Sequence, residues 1–314
     1  MEIQAGATRA ALLEEDNRHR MPRNPVNHSE SEEDPGLWEV KSEESNCYTR
    51  RLTPSNAPRL RVCAVSYVNT SPLVWGMLHG LQRGLFDLEF RLPAECADAL
   101  ASGTADIGIV PSFELTRQDL AVLPGAGIAC RGPVRSILLI SSCPAAEIRT
   151  LAADSSSRTS VQLARVILER KYGACPAVTS HPPNLEAMMA AADAALVIGD
   201  PALRIDPAGV PFHVYDLGAE WTELTGRPMV FAVWAGRKDV VTPDVVQVFC
   251  DSCRYGRDRI DEIVQAESAA RGFPPDLVHD YLTRHIVHEL GEREYAGLEL
   301  FLSYTEKKQC ISCF

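Results

Sequence analysis

The sequence lacks two features that would place the protein on a membrane or on nucleic acid. No stretch approaches the roughly 20 uninterrupted apolar residues that a membrane-spanning helix needs. The 314 residues carry 31 Lys and Arg against 42 Asp and Glu, a formal net charge of -11 at pH 7. Nucleic acids and anionic membranes are bound by clustered Lys and Arg. We therefore expect a soluble protein whose partner is a small molecule, with no nucleic-acid and no membrane partner.

The first 58 residues lack sustained apolar periodicity. Acidic residues at positions 14–16 stand where a secretory signal requires an apolar core, and a second acidic run covers positions 29–35. Such a segment buries too little apolar surface to offset the entropy of ordering it. We expect a disordered acidic tail over residues 1–58 and a cytoplasmic location.

The ten cysteines lack the close grouping of a disulfide-rich or zinc-binding protein. Two C-x-x-C pairs are present, Cys250 with Cys253 and Cys310 with Cys313, and two such pairs can form a four-thiolate zinc site. However, the first pair falls in a predicted helix and the second lies far away at the chain end. We expect mainly reduced thiols, no metal and no cofactor.

The histidines also lack the spacing of a metal site. His285 and His288, followed by Glu289, do not match the His-Glu-x-x-His pattern that places two imidazoles and a base on one helix face. We interpret this stretch as a solvated helix.

After residue 58, short apolar runs alternate with amphipathic segments. The short runs are typical of buried strands, and apolar positions three and four residues apart are typical of helices. Predicted strands cover residues 61–65, 88–92, 107–110, 136–140, 150–153, 194–200 and 230–234. Predicted helices cover residues 73–81, 93–102, 160–171 and much of 243–304. This alternation predicts an α/β fold with parallel sheets and helices on both faces.

The order of these segments favours two lobes with a cleft between them. We expect a first lobe over residues 59–137 and 237–305, a second lobe over residues 138–236 and a C-terminal tail over residues 306–314. Two crossings between lobes predict hinge closure on a ligand, as in periplasmic binding proteins of type 2. Ligands of open parallel sheets lie outside the carboxyl ends of the strands, so the polar turns after the strands face this cleft.

Several short motifs occur in order along residues 60–238. They are 65–73 (VSYVNTSPL), 106–112 (DIGIVPS), 132–136 (GPVRS), 157–160 (SRTS), 197–200 (VIGD), 225–226 (TG) and 231–234 (FAVW). Together they resemble the chorismate dehydratase family of the futalosine pathway, an alternative route to menaquinone. The resemblance implies a cofactor-free lyase that removes water from chorismate and yields 3-[(1-carboxyvinyl)oxy]benzoate.

The resemblance also implies that Asn69 and Ser136 are catalytic. An asparagine amide can donate to a developing oxyanion or orient a leaving hydroxyl, and a serine hydroxyl can accept or relay a proton. From the residues alone, Asn69 as a turn residue and Ser136 as a hinge cap remain open alternatives. No carboxylate in the matched turns is an obvious base, so the side-chain carboxylate of the substrate is our candidate.

Four consecutive residues, Ser157, Arg158, Thr159 and Ser160, follow a predicted strand and open a predicted helix. Free backbone N–H groups and the positive end of the helix dipole favour an anion at such a point. We predict that these residues bind a carboxylate of the substrate, with Arg158 as a neutralising charge. The alternative is simple N-capping with Arg158 on the surface.

Four further residues at strand ends are expected to contact the substrate. They are Ser66, Tyr67, Ser112 and Asp200. Each serine could equally cap its strand end. A carboxylate such as that of Asp200 is repelled by a dianionic substrate unless it is protonated or paired, which favours a structural partner, a backbone amide or an arginine.

Two other functions remain open from the sequence, and we rank both below the dehydratase. One is a non-catalytic protein of the same fold that binds or senses a small anion. The other is the related 1,4-dihydroxy-6-naphthoate synthase, which resembles this family in fold and relies on a catalytic histidine. His181, in a predicted loop, is the candidate for that histidine.

Overall fold

The computed structural model describes residues 59–309 of the chain, with side chains up to residue 305. The acidic tail predicted over residues 1–58 and the pair Cys310 and Cys313 lie outside the described residues. Within the described part, no helix combines the length and the apolar character needed to cross a membrane.

Two sheets, one in each lobe, form the framework. Before the first crossing the elements are β1 (Leu60–Val65), α1 (Ser71–His79), β2 (Phe86–Arg91), α2 (Pro93–Ala101), β3 (Ile107–Pro111) and β4 (Ala121–Cys130). The second lobe contains β5 (Ile137–Ser141), β6 (Thr150–Asp154), α3 (Arg158–Tyr172), β7 (Ala177–His181), α4 (Leu185–Ala191), β8 (Ala194–Ile198), α5 (Gly199–Leu203), β9 (His213–Asp216) and α6 (Leu217–Thr225). The returning chain forms β10 (Met229–Gly236), α7 (Pro243–Arg257), α8 (Ile260–Arg271), α9 (Pro275–Asp280), a π-helical turn (Tyr281–His285), β11 (Val287–Glu289) and α10 (Glu292–Gln309).

Both sheets are mixed rather than purely parallel as predicted. The first has the strand order β11-β4-β10-β3-β1-β2 and the second β7-β6-β8-β5-β9. Strands β1, β2 and β3 are parallel, and so are β6, β7 and β8. In contrast, β10 is antiparallel to both of its neighbours, and so is β5. Each of these two strands directly follows a crossing between the lobes. The chain therefore enters each sheet at its cleft edge, where the parallel strands end.

The second crossing between the lobes lies earlier in the chain than the predicted boundary at residue 237. Strand β10 pairs with β3 and β4 of the first sheet, so residues 229–236 belong to the first lobe rather than to the second. At the other end, α10 continues to Gln309, so residues 306–309 are helical where a tail was predicted.

The strands beside the cleft are the near-continuous apolar runs of the sequence. Every residue of β3, β5 and β8 is buried, as expected for strands that helices cover on both faces.

Close packing of α1 on α7 fixes the start of α1 at the cleft. Gly76 permits it, because a Cβ there would lie 2.6 Å from Ser252 Cα. The Ser252 hydroxyl donates to Leu73 O at 2.9 Å.

Candidate active site

A cavity between the lobes collects the ends of strands from both sheets. Its volume is about 570 Å³, including its opening to solvent. The apolar part of its wall includes Val65, Ile109, Ile128, Val134, Ile198 and Phe231. The polar part comes from Tyr67, Asn69, Thr70, Ser136, Ser157, Arg158, Thr159 and Ser160. All predicted site residues except Ser66, Ser112 and Asp200 therefore line one cavity.

Asn69 is held at both its side chain and its backbone. It lies in a 3₁₀ turn between β1 and α1, and its Nδ2 donates to the Tyr281 hydroxyl at 2.9 Å. Its carbonyl oxygen is 2.9 Å from Nε2 of His288. Because a carbonyl only accepts, His288 carries its proton on Nε2 and donates it to Asn69. Asn69 is therefore presented to the cavity in a fixed orientation.

Ser136 stands where the chain crosses into the second lobe, directly before β5. The preceding residue, Arg135, has φ 67°, a left-handed conformation that costs free energy in any residue but glycine. Asp216 holds this conformation, because its carboxylate accepts the amides of Val134 and Arg135 at 2.9 and 2.6 Å. The Ser136 carbonyl accepts from the Gly199 amide at 2.8 Å. The backbone at Ser136 is thus held from both sides.

Tyr281 joins the two residues that the resemblance marks as catalytic. Its side chain is buried, and its hydroxyl accepts from Asn69 and donates to Ser136 Oγ at 2.8 Å. A phenol has one proton, so this direction leaves the proton of Ser136 free to point into the cavity. Burial, the largest influence on Tyr281, raises its pKa, and the hydroxyl stays protonated near neutral pH.

Tyr281 is not among the predicted site residues, and the interpretation of the stretch around His285 and His288 as a solvated helix is wrong. His288 lies in β11 and is 4% exposed. Burial lowers its pKa to about 4, which keeps the ring neutral. His285 ends the π-helical turn, with Nδ1 2.9 Å from Pro133 O. These contacts join segments 152 and 219 residues apart, which local spacing does not predict.

Tyr67 reaches from the first lobe to the second across the cavity. Its ring lies on Gly199, where a Cβ would come within 2.5 Å of a ring carbon and where φ is +62°. Both the contact and the backbone conformation require glycine at this position. The Tyr67 hydroxyl lies 3.3 Å from the Ser156 hydroxyl, in the turn between β6 and α3. Burial raises the pKa of Tyr67 to about 12.

Helix α3 begins at the cavity wall with an open first turn. Ser157 is its N-cap and makes no side-chain capping bond. In the described chain, the hydroxyls of Ser157 and Ser160 form no hydrogen bond to another residue. The N–H groups of a first helical turn have no partner within the helix. Together they offer several donors to an anion in the cavity.

Two of the residues predicted to bind an anion make contacts between the lobes. The Arg158 guanidinium donates to Glu114 at 3.1 Å and to Asp98 at 2.7 Å, both in the first lobe. Thr159 Oγ1 accepts from the Phe113 amide at 3.1 Å. The charge of Arg158 is therefore balanced by two carboxylates, and the donors open to an anion are the N–H groups and the two serine hydroxyls.

Three predicted site residues lie behind the cavity wall. The buried hydroxyl of Ser112 donates to a backbone carbonyl of β10 at 2.8 Å. Asp200 accepts from the Val68 amide at 3.1 Å and from Arg271 at 2.7 Å, and the same arginine donates to the Ser66 carbonyl at 2.8 Å. These residues support the turns that carry the lining residues.

The other candidates from the sequence lie away from the cavity. His181 is the last residue of β7, where Nε2 is 3.1 Å from the hydroxyl of Thr179. Cys250 and Cys253 are free thiols on α7. Among the residues that the structure describes, no group of three or more His, Cys, Asp and Glu side chains is arranged to hold a metal ion.

Comparison with known proteins gives consistent matches for sequence and fold. Residues 60–307 match the sequence model of a family described as menaquinone biosynthesis. Chorismate dehydratase from Thermus thermophilus is 32% identical over 253 residues, covering 75% of this chain and 91% of the relative. Protein AF1704 from Archaeoglobus fulgidus has a TM-score of 0.61 at 17% identity, covering 81% of this chain and 98% of that chain. The periplasmic aliphatic sulphonate binding protein SsuA from Escherichia coli has a TM-score of 0.56 at 16% identity, with 82% and 89% coverage. These structural likenesses confirm the predicted two-lobed fold.

Proposed function

Because the chain belongs to the menaquinone biosynthesis family, we propose that it is a chorismate dehydratase. As a lyase, it removes water from chorismate and releases 3-[(1-carboxyvinyl)oxy]benzoate. Its substrate is a single small molecule, and we place the reaction in the cytoplasm and without a cofactor.

The observation that carries this proposal is the hydrogen-bond chain from Asn69 through Tyr281 to Ser136. This chain fixes the direction of two donors that line the cavity, the Asn69 amide and the Ser136 hydroxyl. A dehydratase needs oriented donors at the place where charge develops in the transition state. The buried phenol supplies that orientation to both residues.

The reaction needs little catalytic machinery. The proton on ring C3 of chorismate is acidified by the ring carboxylate through the intervening double bond, so its removal gives a delocalised dienolate. The dienolate expels the C4 hydroxyl, and the ring becomes aromatic. An enzyme for this step must hold two carboxylates, stabilise the charge that develops on one of them, and keep the enolpyruvyl arm from a competing Claisen rearrangement.

Each part of the cavity has a role in this scheme. Asn69 donates to the ring carboxylate as its charge builds up, and the proton that Ser136 directs into the cavity donates to the same dienolate. No Asp or Glu is among the described residues that line the cavity, so the enolpyruvyl carboxylate of the substrate takes the C3 proton. The apolar walls exclude water, which strengthens these hydrogen bonds.

Two helix ends suit the two carboxylates of the substrate. Helix α1 begins directly after Asn69 and Thr70, and α3 begins with residues 157–160, all of which line the cavity. The positive end of each dipole favours a negative group. Because the helices belong to different lobes, a dianion that touches both draws the lobes together.

Mass spectrometry tests the proposal. Purified protein is incubated with chorismate, without added metal or nucleotide, and we expect an aromatic product lighter by one water. Chorismate that binds and is recovered unchanged would contradict the dehydratase and favour a sensor. Products of a Claisen rearrangement in excess of the protein-free control would contradict the proposed hold on the enolpyruvyl arm.

A further inference from the structure

A buried carboxyl beside the cavity has no role in the scheme above. Asp154, the last residue of β6, is 1% exposed. Its Oδ1 accepts from the amide and the hydroxyl of Ser156 at 2.9 and 2.8 Å. In the described part of the chain, its Oδ2 has no hydrogen-bond partner. An ionised carboxylate with a buried, unpaired oxygen is costly, and burial raises the pKa of Asp154. Burial therefore increases the fraction of Asp154 that is protonated at a given pH.

Two hydroxyls connect this acid to the cavity. The Ser156 hydroxyl bonds Asp154 on one side and lies 3.3 Å from the Tyr67 hydroxyl on the other, where either oxygen can donate. Tyr67 itself lines the cavity. The three side chains form a continuous line of exchangeable protons that starts at a buried acid and ends at the cavity.

We propose that Asp154, Ser156 and Tyr67 form a proton relay that protonates the C4 hydroxyl of the substrate as it leaves. The relay rests on the proposed dehydratase function and adds the acid that this function lacks. Before the reaction, Oδ1 of Asp154 carries the acid proton and donates it to the Ser156 hydroxyl, the reverse of the bond that these two oxygens form when the carboxyl group is ionised. Ser156 then donates to Tyr67, and the Tyr67 proton points into the cavity.

The proton and electron movements balance. The enolpyruvyl carboxylate takes the C3 proton, the C–H electron pair enters the ring, and the C4–O bond breaks with its pair on oxygen. That oxygen takes the Tyr67 proton and leaves as water. Tyr67 takes the proton of Ser156, and Ser156 takes that of Asp154, which becomes a carboxylate. After product release, solvent takes the proton from the product's carboxyl group and returns one to Asp154.

Substitutions can remove the exchangeable protons of these residues without removing their structural contacts. An asparagine at position 154 can still accept from Ser156, so a turn cap alone does not need an acid. The packing of Tyr67 on Gly199 uses the ring and not the hydroxyl. Conservative variants can therefore remove the exchangeable proton and keep the fold.

The test compares Asp154→Asn, Tyr67→Phe and the double variant with the wild-type protein, using chorismate as substrate. We expect each single variant to lose about 100-fold in kcat, with KM and melting temperature little changed, because general acid catalysis contributes on this scale. The double variant should lose no more than either single variant, because one relay is cut only once. Asp193→Asn is the matched control, since Asp193 accepts two backbone amides in the same lobe, outside the cavity.

The possible failures are distinguishable. A wild-type protein that binds chorismate and releases no water overturns the dehydratase and the relay with it. An active wild-type protein with Asp154→Asn of equal kcat overturns the relay alone. A double variant whose loss is the product of the single losses shows independent roles and also overturns the relay. If Asp154→Asn does not fold, an unchanged kcat in Tyr67→Phe overturns the relay by itself.

Discussion

On the first-lobe wall of the cavity, Asn69 is bound at its side chain by Tyr281 and at its backbone by His288. On the second-lobe wall, Ser157 and Ser160 carry hydroxyls without a partner in the described chain, next to the open first turn of α3. A donor fixed in place favours one charge distribution and suits a transition state, whereas free donors adapt to a bound carboxylate. The difference predicts that Asn69 controls kcat, whereas the hydroxyls of Ser157 and Ser160 control affinity.

Removing the fixed donor should give the largest effect. We expect Asn69→Ala to lower kcat about 10²- to 10³-fold, the loss typical of one oxyanion donor, while chorismate affinity changes little. Steady-state kinetics and calorimetric titration measure the two quantities. Asn184→Ala is the control, since Asn184 caps α4 and lies outside the cavity. An unchanged kcat in Asn69→Ala would return Asn69 to the role of a turn residue.

His288 should make the first-lobe wall sensitive to acid. Its pKa is about 4 in the folded chain, against about 6.5 when unfolded. Between these pH values the unfolded chain binds a proton that the folded chain does not, so stability falls as pH falls from about 6.5 to 4. The full loss is about 3 kcal/mol.

Chemical denaturation at a series of pH values measures this loss. His288→Gln is the matched variant, because a glutamine amide can donate to the Asn69 carbonyl and does not titrate. Between pH 6.5 and 4 we expect the free energy of unfolding of this variant to fall by about 3 kcal/mol less than that of the wild-type protein. Equal pH dependence in both proteins would mean that His288 is not the titrating group.

Removing a free hydroxyl from the second-lobe wall should weaken binding. We expect Ser160→Ala to lose about 1.5–3 kcal/mol of chorismate affinity, the value of a charge-assisted hydrogen bond, with kcat at saturation little changed. Ser102→Ala serves as the control, because Ser102 lies at the end of α2 and its hydroxyl bonds within its own turn. A variant with reduced melting temperature and wild-type affinity would identify Ser160 as a structural residue of α3.

Removing the link between the two catalytic candidates should have a smaller effect. We expect Tyr281→Phe to lower kcat about tenfold, since the two hydrogen bonds of its hydroxyl, to Asn69 and to Ser136, are lost while His288 still holds the backbone of Asn69. In a Ser136→Ala background the same change should have less effect, because Tyr281 acts through Ser136. Tyr295→Phe is the control, since its hydroxyl accepts from the Gly125 amide outside the cavity. Equal losses in both backgrounds would contradict the link.

The strands that were predicted from the sequence are those whose burial requires an uninterrupted run of apolar residues. Strand β8 is a five-residue apolar run and is wholly buried, and its apolar residues predicted it. Strand β4 was not predicted, because Pro124, Gly125 and Gly127 interrupt it. These residues are unfavourable in an isolated strand, and pairing with β10 and β11 on either side compensates for them.

The same limit applies to the site. The turns that carry Asn69 and residues 157–160 follow strand ends, so pattern and resemblance together placed them at the cleft. Tyr281 and His288 contact Asn69 across 212 and 219 residues of sequence. Contacts of that length depend on how α7 to α9 pack against the first sheet, and periodicity carries no information about such packing. The support of the site was therefore missed although its lining was found.

Hydrogen bonds that run directly between the lobes also bear on kinetics. The Phe113 amide donates to Thr159, and the Val68 amide donates to Asp200. A molecule that passes between the lobes can do so only while such bonds are broken. The association rate then depends on how often the lobes separate as well as on diffusion. The apparent affinity decreases as the fraction of closed molecules increases. Substrate and product exchange thus depends in part on bonds that take no part in the dehydration.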